Sequence, residues 1–148
     1  MEIRFRPVTK DNWAECGGLR VHPEQEGFVA SNLFSLTEVH FYPQLIPQAI
    51  YDGDQMVGFL LYGYDEKEDS YWVVRLMIDQ KHQGKGYGRA AMESLLAMLR
   101  AIPGCKRIRI SYEPHNIWAR KLYLSLGFLE TGEVLEDETV AEIKIETV

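Results

Sequence analysis

The sequence is short of cysteine, of positive charge and of long apolar runs. It has two cysteines, Cys16 and Cys105, and their separation matches no metal-ligand spacing. Neither a disulfide framework nor a metal site is expected. Both read as free thiols of a cytoplasmic protein, with a chance disulfide between them as the alternative. No stretch approaches the ~20 apolar residues of a membrane-spanning helix. The opening MEIRFRPVTK alternates like a strand and lacks the apolar centre of a signal peptide. Lys and Arg number 16 against 22 Asp and Glu, a net charge of −6. That argues against nucleic acid as the main partner, since phosphate binding needs a basic face.

The charge is unevenly spread. Acidic residues crowd DEKED at 65–69 and the stretch from Glu130 to Glu142, where solvated surface is the plain reading. Basic ones (Arg75, Lys81, Lys85, Arg89) gather around a glycine-rich stretch, HQGKGYGRAAM, at 82–92. The chain of 148 residues, 46% hydrophobic and 26% charged, suits one domain over 1–148.

Periodicity predicts a strand at 2–8, a helix from Thr9 or Asp11 to about Leu19, and a second helix over 28–42 with Leu33, Leu36 and Val39 inward. Asp52-Gly53 signals a hairpin turn. The run YWVVRLMID at 71–79 reads as a central strand buried on both faces. After the glycines, Met92, Leu95, Leu96 and Leu99 keep helical spacing, and RIRISY at 107–112 alternates as a strand. Asn116 can cap a further helix, Gly127 can end it, and two strands close the chain. The fold class is α/β (α+β), a mixed sheet of about seven strands flanked by about four helices.

A glycine loop between a strand and a helix has a definite chemistry. The helix N-terminus exposes unpaired N–H groups at the positive end of its dipole, and glycines let a phosphate approach them. A tight turn with no ligand is the competing explanation. No P-loop pattern is present, and Gly84-x-Gly86-x-Gly88 is not the dinucleotide spacing, so both nucleotide readings are poor.

Gln83, Gly86 and Gly88 form Gln-x-x-Gly-x-Gly, and NIWARKLYLSLGF carries Asn116, Ala119, Leu122, Tyr123, Gly127 and Phe128. On these motifs and on the order of its elements the chain resembles the GNAT superfamily of N-acetyltransferases. The resemblance implies acetyl-CoA as donor. It assigns the pantetheine arm to the backbone of Met77, Ile78 and Asp79 and to Asn116. It assigns the pyrophosphate to the loop residues Gln83, Gly84, Lys85, Gly86, Tyr87, Gly88 and Arg89. Tyr123 becomes the proton donor to the leaving thiolate, a core aromatic being the alternative. Gln80 replaces the proline that many relatives carry there. A homodimer or higher homo-oligomer is expected on the same ground.

PEQEGFVASNLFSL, AIYDGDQMVGFLLYG and IDQKHQGKGYG further resemble the small bacterial spermine/spermidine acetyltransferases. A polyamine acceptor is implied, with Glu24, Glu26 and Glu38 as its carboxylates. Transfer proceeds by direct attack, so neither cysteine needs a catalytic role. An amine of pKa ~10.4 is neutral in about one molecule in ~10³ at pH 7. A base is therefore required, and Glu24, Glu26, Glu38, Glu113 and His82 are candidates, none of them singled out. Another amine acceptor (an aminoglycoside, an amino acid, a protein N-terminus) and a non-catalytic acyl-CoA sensor are the competing functions.

Overall fold

In the computed structural model the chain runs β1 (Ile3–Pro7), α1 (Trp13–Gly18), α2 (Asn32–Phe41), β2 (Leu45–Asp52), β3 (Gln55–Asp65), β4 (Ser70–Ile78), α3 (Tyr87–Arg100), β5 (Arg107–Tyr112), α4 (Ile117–Ser125), β6 (Leu129–Leu135) and β7 (Glu138–Lys144). The structure describes residues 1–146. Thr147 and Val148, the end of the domain expected over 1–148, lie outside the described residues. Short 3-10 turns occupy Pro23–Gln25 and Gln80–His82. Among the described residues no helix is long and apolar enough to cross a membrane.

The strands form one sheet of order β1-β2-β3-β4-β5-β7-β6. All neighbours are antiparallel except β4 and β5, which α3 links as a crossover. The apolar stripe of α3 (Ala91, Met92, Leu95, Leu96, Leu99) is buried against one face with α4, as its spacing predicts. On the other face Cys16, Phe59, Leu61 and Met77 form a second cluster under α1 and α2.

Three expectations shift. The hairpin turns on Gly53 and Asp54, because Asp52 pairs with Gln55, and Gly53 takes φ +60°. The second helix starts late, at Asn32, where Ser31 Oγ accepts from Phe34 N–H at 3.1 Å. Its buried face carries Asn32 and Ser35, which bond to Cys16 O and Ser31 O, with Leu36 and Val39 packed beside them as expected and Leu33 exposed.

The third concerns β4, which is central yet not buried on both faces. Its pairing with β5 stops after Tyr71–Ile108, Trp72–Arg109 and Val73–Ile110. Next to this point Leu61 opposes Arg75 and Tyr62 opposes Val73, leaving Val74 as an extra residue. Such a bulge increases local twist. β4 swings away while β5 stays with β7 as far as Tyr112–Thr139. The edge of residues 74–78 that faces away from β3 has no strand partner.

Candidate active site

The splay opens a cleft of about 2000 Å³ lined from both faces of the sheet. That is well above the ~300–1000 Å³ of a drug-sized pocket, so it has room for a long ligand together with a second molecule.

At one end lies the glycine loop. Gly84 and Gly86 take φ +78° and +88°, conformations that glycine adopts without strain. Gly88 has another reason to lack a side chain: a Cβ there would stand 3.0 Å from the Trp118 ring. The backbone N–H groups of residues 84–89 donate to no protein acceptor among the described residues. Tyr87 anchors the loop to the hairpin by donating to Asp52 Oδ2 at 2.6 Å. That bond, with the Glu2 N–H second, lowers the Asp52 pKa and in turn raises that of Tyr87. Arg89 bonds Ser125 Oγ and lies 3.7 Å from Glu93. Arg89 and Lys121 line the cleft, whereas Lys85 is exposed and does not.

Met77 and Ile78 line the cleft on the unpaired edge of β4. Asp79 does not. Its N–H is spent on Val57 O, and its carboxylate accepts from Arg20 and Lys81 N–H. Gln83 lines the cleft, but its carboxamide is bonded to Ile78 O and Gln25. Asn116 caps α4, its Oδ1 accepting from Ala119 N–H at 3.2 Å, which leaves Nδ2 without a protein partner among the described residues. Tyr123 follows from α4, 6% exposed, packed on Tyr112 and Phe128 at 5.7 and 5.9 Å. Its hydroxyl has no protein partner among the described residues. Burial first, and the neighbouring Tyr112 second, push its pKa up.

The other end is acidic. Glu26 lines the cleft but follows Gln25, which bonds Gln83 of the glycine loop; Glu24 is exposed outside the cleft, and Glu38 is tied to Arg75, which also donates to Ser35 Oγ. Glu113 lies off the cleft and accepts from His115 N–H. His82 lines it with a buried, unpartnered Nδ1. Two groups escaped sequence reasoning. The β3–β4 turn brings Asp65, Glu66 and Glu68, and the β6–β7 turn brings Glu136 and Glu138, to the same opening. These are the acidic runs that read as solvated surface. The only available signal was that both turns flank strands neighbouring the β4–β5 junction.

Trp72 forms a rigid wall there. Its indole N–H donates to Glu68 at 2.9 Å, and the Arg109 guanidinium sits 5.1 Å over its ring. Arg109, with a side chain 3% exposed, meets Glu68 (3.2 Å), Glu133 (2.6 Å) and Glu142 (3.3 Å). The last is an ion contact outside hydrogen-bond geometry, since Nε has no hydrogen-bond acceptor. The arrangement suits a diphosphate on free N–H groups at one end and a cation among carboxylates and aromatic rings at the other.

Residues 30–128 match the model of the acetyltransferase (GNAT) family. The chain is 36% identical to the spermine/spermidine N(1)-acetyltransferase of Bacillus subtilis over 143 residues, 90% of this chain and 92% of that protein. Its fold is similar to that of spermidine N-acetyltransferase from Vibrio cholerae in complex with CoA and spermine (TM-score 0.77, 18% identity, covering 97% and 96% of the two chains). It is similar also to that of aminoglycoside acetyltransferase AAC(6')-Ib in complex with coenzyme A (TM-score 0.80, 14% identity, 97% and 95%).

Proposed function

The chain belongs to the acetyltransferase (GNAT) family, whose members use acetyl-CoA, and we propose that its acceptor is a primary amine of a polyamine such as spermine or spermidine. The observation that carries this reading is the set of carboxylates lining the cleft: Asp65, Glu66, Glu136 and Glu138 from two turns, with Trp72, and Glu26 with Phe28. Several separated carboxylates along an aromatic-walled groove complement a chain of spaced ammonium groups.

Bound acetyl-CoA supplies the acetyl thioester. The unpartnered N–H groups of residues 84–89 hold its pyrophosphate, with Arg89 and Lys121 nearby. Met77 and Ile78 offer the free edge of β4 to the pantetheine arm, and Asn116 Nδ2 donates to it. An unpaired N–H on the same edge stabilises negative charge developing on the carbonyl oxygen. Tyr123 donates to the departing sulfur.

The acidic end has two opposed effects on the acceptor. It attracts the polycation, and it raises the amine pKa. Freeing the amine from its proton already costs ~4–5 kcal/mol at pH 7. Of the five candidate bases, Glu26 and His82 line the cleft with side chains that have no protein hydrogen-bond partner among the described residues, and they are the groups to test by pH–rate profiles. A homodimer is part of the same proposal. Light scattering on the purified protein tests it, and a species of 17.1 kDa overturns it.

The deciding experiment measures thiol release from acetyl-CoA with spermine, spermidine, aminoglycosides and free amino acids. Turnover confined to the polyamines supports the assignment. A preference for aminoglycosides or amino acids replaces the acceptor. Acetyl-CoA binding without turnover on any amine overturns the catalytic reading.

A further inference from the structure

Gln83 opens the glycine loop, yet its side chain turns away from the loop's free N–H groups. Its Nε2 donates to Ile78 O at 2.9 Å and to Gln25 Oε1 at 2.9 Å. Gln25 Nε2 donates back to Gln83 Oε1 at 3.1 Å. The two carboxamides, 58 positions apart, therefore clasp each other reciprocally. Gln25 is itself held, because its Oε1 also accepts from His22 N–H at 3.1 Å.

The position of this clasp matters. Gln25 ends the turn Pro23–Gln25, and residues 26–30 directly after it line the cleft. Gln83 leads directly into residues 84–89. Two further bonds join the same connections, Arg20 N–H to Asp79 Oδ1 (2.8 Å) and Gln80 N–H to Arg20 O (2.7 Å). They secure the start of the α1–α2 connection, five residues before Gln25. Among the described residues no hydrogen bond ties the backbone of residues 27–30 to the glycine loop.

We propose that Gln25 is a positioning residue that couples the glycine loop to the cleft-lining segment 26–30, so that a ligand on the loop orders that segment for the acceptor. A diphosphate bonded to residues 84–89 restrains Gln83, Gln83 restrains Gln25, and Gln25 fixes the start of the acceptor segment. The ordering cost of that segment is then met before the amine arrives, so each ligand strengthens the other. The coupling is reciprocal by thermodynamic necessity, and its expected size is about fivefold or more. The inference rests on the reading of residues 84–89 as the donor site.

Hydrogen exchange with and without coenzyme A tests it on the full chain, in the parent protein and in Gln25→Leu. In the parent, coenzyme A slows exchange at residues 84–89 and, by about fivefold or more, at residues 26–30. In Gln25→Leu the protection at 84–89 stays and that at 26–30 disappears, while KM for spermine rises with little change in kcat. Gln25→Glu, which keeps an acceptor for Gln83 and loses the donor, gives an intermediate result and serves as the second variant if the leucine protein fails to fold. Equal protection at 26–30 in parent and variants overturns the coupling. So does protection at 84–89 without any at 26–30 in the parent. No protection at 84–89 in the parent overturns the donor reading, and the coupling with it. The exchange measurement stands whether or not spermine is the acceptor.

Discussion

Replacing Tyr123 by phenylalanine removes one oxygen from a buried ring. The ring packs on Tyr112 and Phe128, and those contacts survive. No protein hydrogen bond of the hydroxyl is lost among the described residues, so stability changes by no more than ~0.5 kcal/mol. The melting midpoint then moves by about 2 °C at most. Catalysis responds differently. A tyrosine hydroxyl of ordinary pKa ~10 is a weaker acid than an alkyl thiol of ~8.5, a gap worth ~2 kcal/mol. Burial and Tyr112 raise Tyr123 further, and in the proposed complex the same desolvation would act on the thiolate. The role proposed for Tyr123 is therefore that of a hydrogen-bond donor to sulfur as charge develops there. Such a bond to a charged group is worth ~1.5–3 kcal/mol, or about 10- to 150-fold in kcat. The sign of the pH dependence follows. An acid with a raised pKa stays protonated below that value and loses its proton only as the pH climbs through it, so the Tyr123 contribution persists to above pH ~10. Thiol-release kinetics of Tyr123→Phe from pH 7 to 9.5 should show a uniform fall in kcat, with coenzyme A affinity unchanged by calorimetry. Equal rates, or a Tyr123-dependent limb near pH 8, refute the reasoning.

Gly86→Asp places a side chain and a negative charge on a residue at φ +88°. Calorimetry should show coenzyme A binding abolished, at a folding cost of ~1–3 kcal/mol; retained affinity removes the loop from the site. Arg109→Met strands Glu68, Glu133 and Glu142. Glu133 is 59% exposed and screened, so the cost is taken at the low end, about 3 kcal/mol. Thermal melts should drop by roughly 6–12 °C, and an unchanged midpoint contradicts the ion cluster. Asp52 has a lowered pKa, chiefly through Tyr87, so its stabilisation is present above pH ~4 and lost as pH falls through the lowered value. Melts of Asp52→Asn between pH 2.5 and 6 should lose that part of the acid dependence; a profile identical to the parent's refutes it. Cys16 is fully buried, and burial, with Glu15 second, pushes its thiol up to about 11, while burial raises Cys105 too. Iodoacetamide at pH 8 should leave the native mass unchanged and label both thiols only after denaturation; native labelling contradicts the burial.

Periodic segments carried the fold into the sequence. The stripe of α3 and the alternation of β5 are local patterns that one face of burial enforces, and the structure places both within a residue of expectation. The glycines were legible for the same reason, since positive φ at Gly84 and Gly86 restricts residue type at the position itself. What was not legible depends on distant partners. Asn32 and Ser35 look like surface residues until Cys16 and Ser31 are beside them, so periodicity places Leu33 inward where they lie, while Leu36 and Val39 do face the core. The acidic turns at 65–69 and 136–138 are far apart in sequence, and only the strand order brings them to one opening. Glu38 carried a charge that reads as available, and Arg75 cancels it.

The bulge at Val74 links these observations. In strict alternation Val73 and Arg75 would share a face, because successive side chains point to opposite sides. Val73 lies in the core beneath α3 and α4, so Arg75 would enter it as a buried charge. One extra residue returns Arg75 to the face of α2, where Glu38 and Ser35 meet it, and Met77 follows to the same side. The same extra residue twists β4 off β5 immediately after their last pair, which opens the cleft and frees the edge of residues 74–78. Charge placement and access to the site therefore share one local cause. Deleting Val74 would leave Val73 and Arg75 adjacent and opposite Tyr62 and Leu61 in regular alternation, so Arg75 and Met77 would keep their face while the bulge and its added twist were lost, and the damage would fall on the cleft rather than on the core.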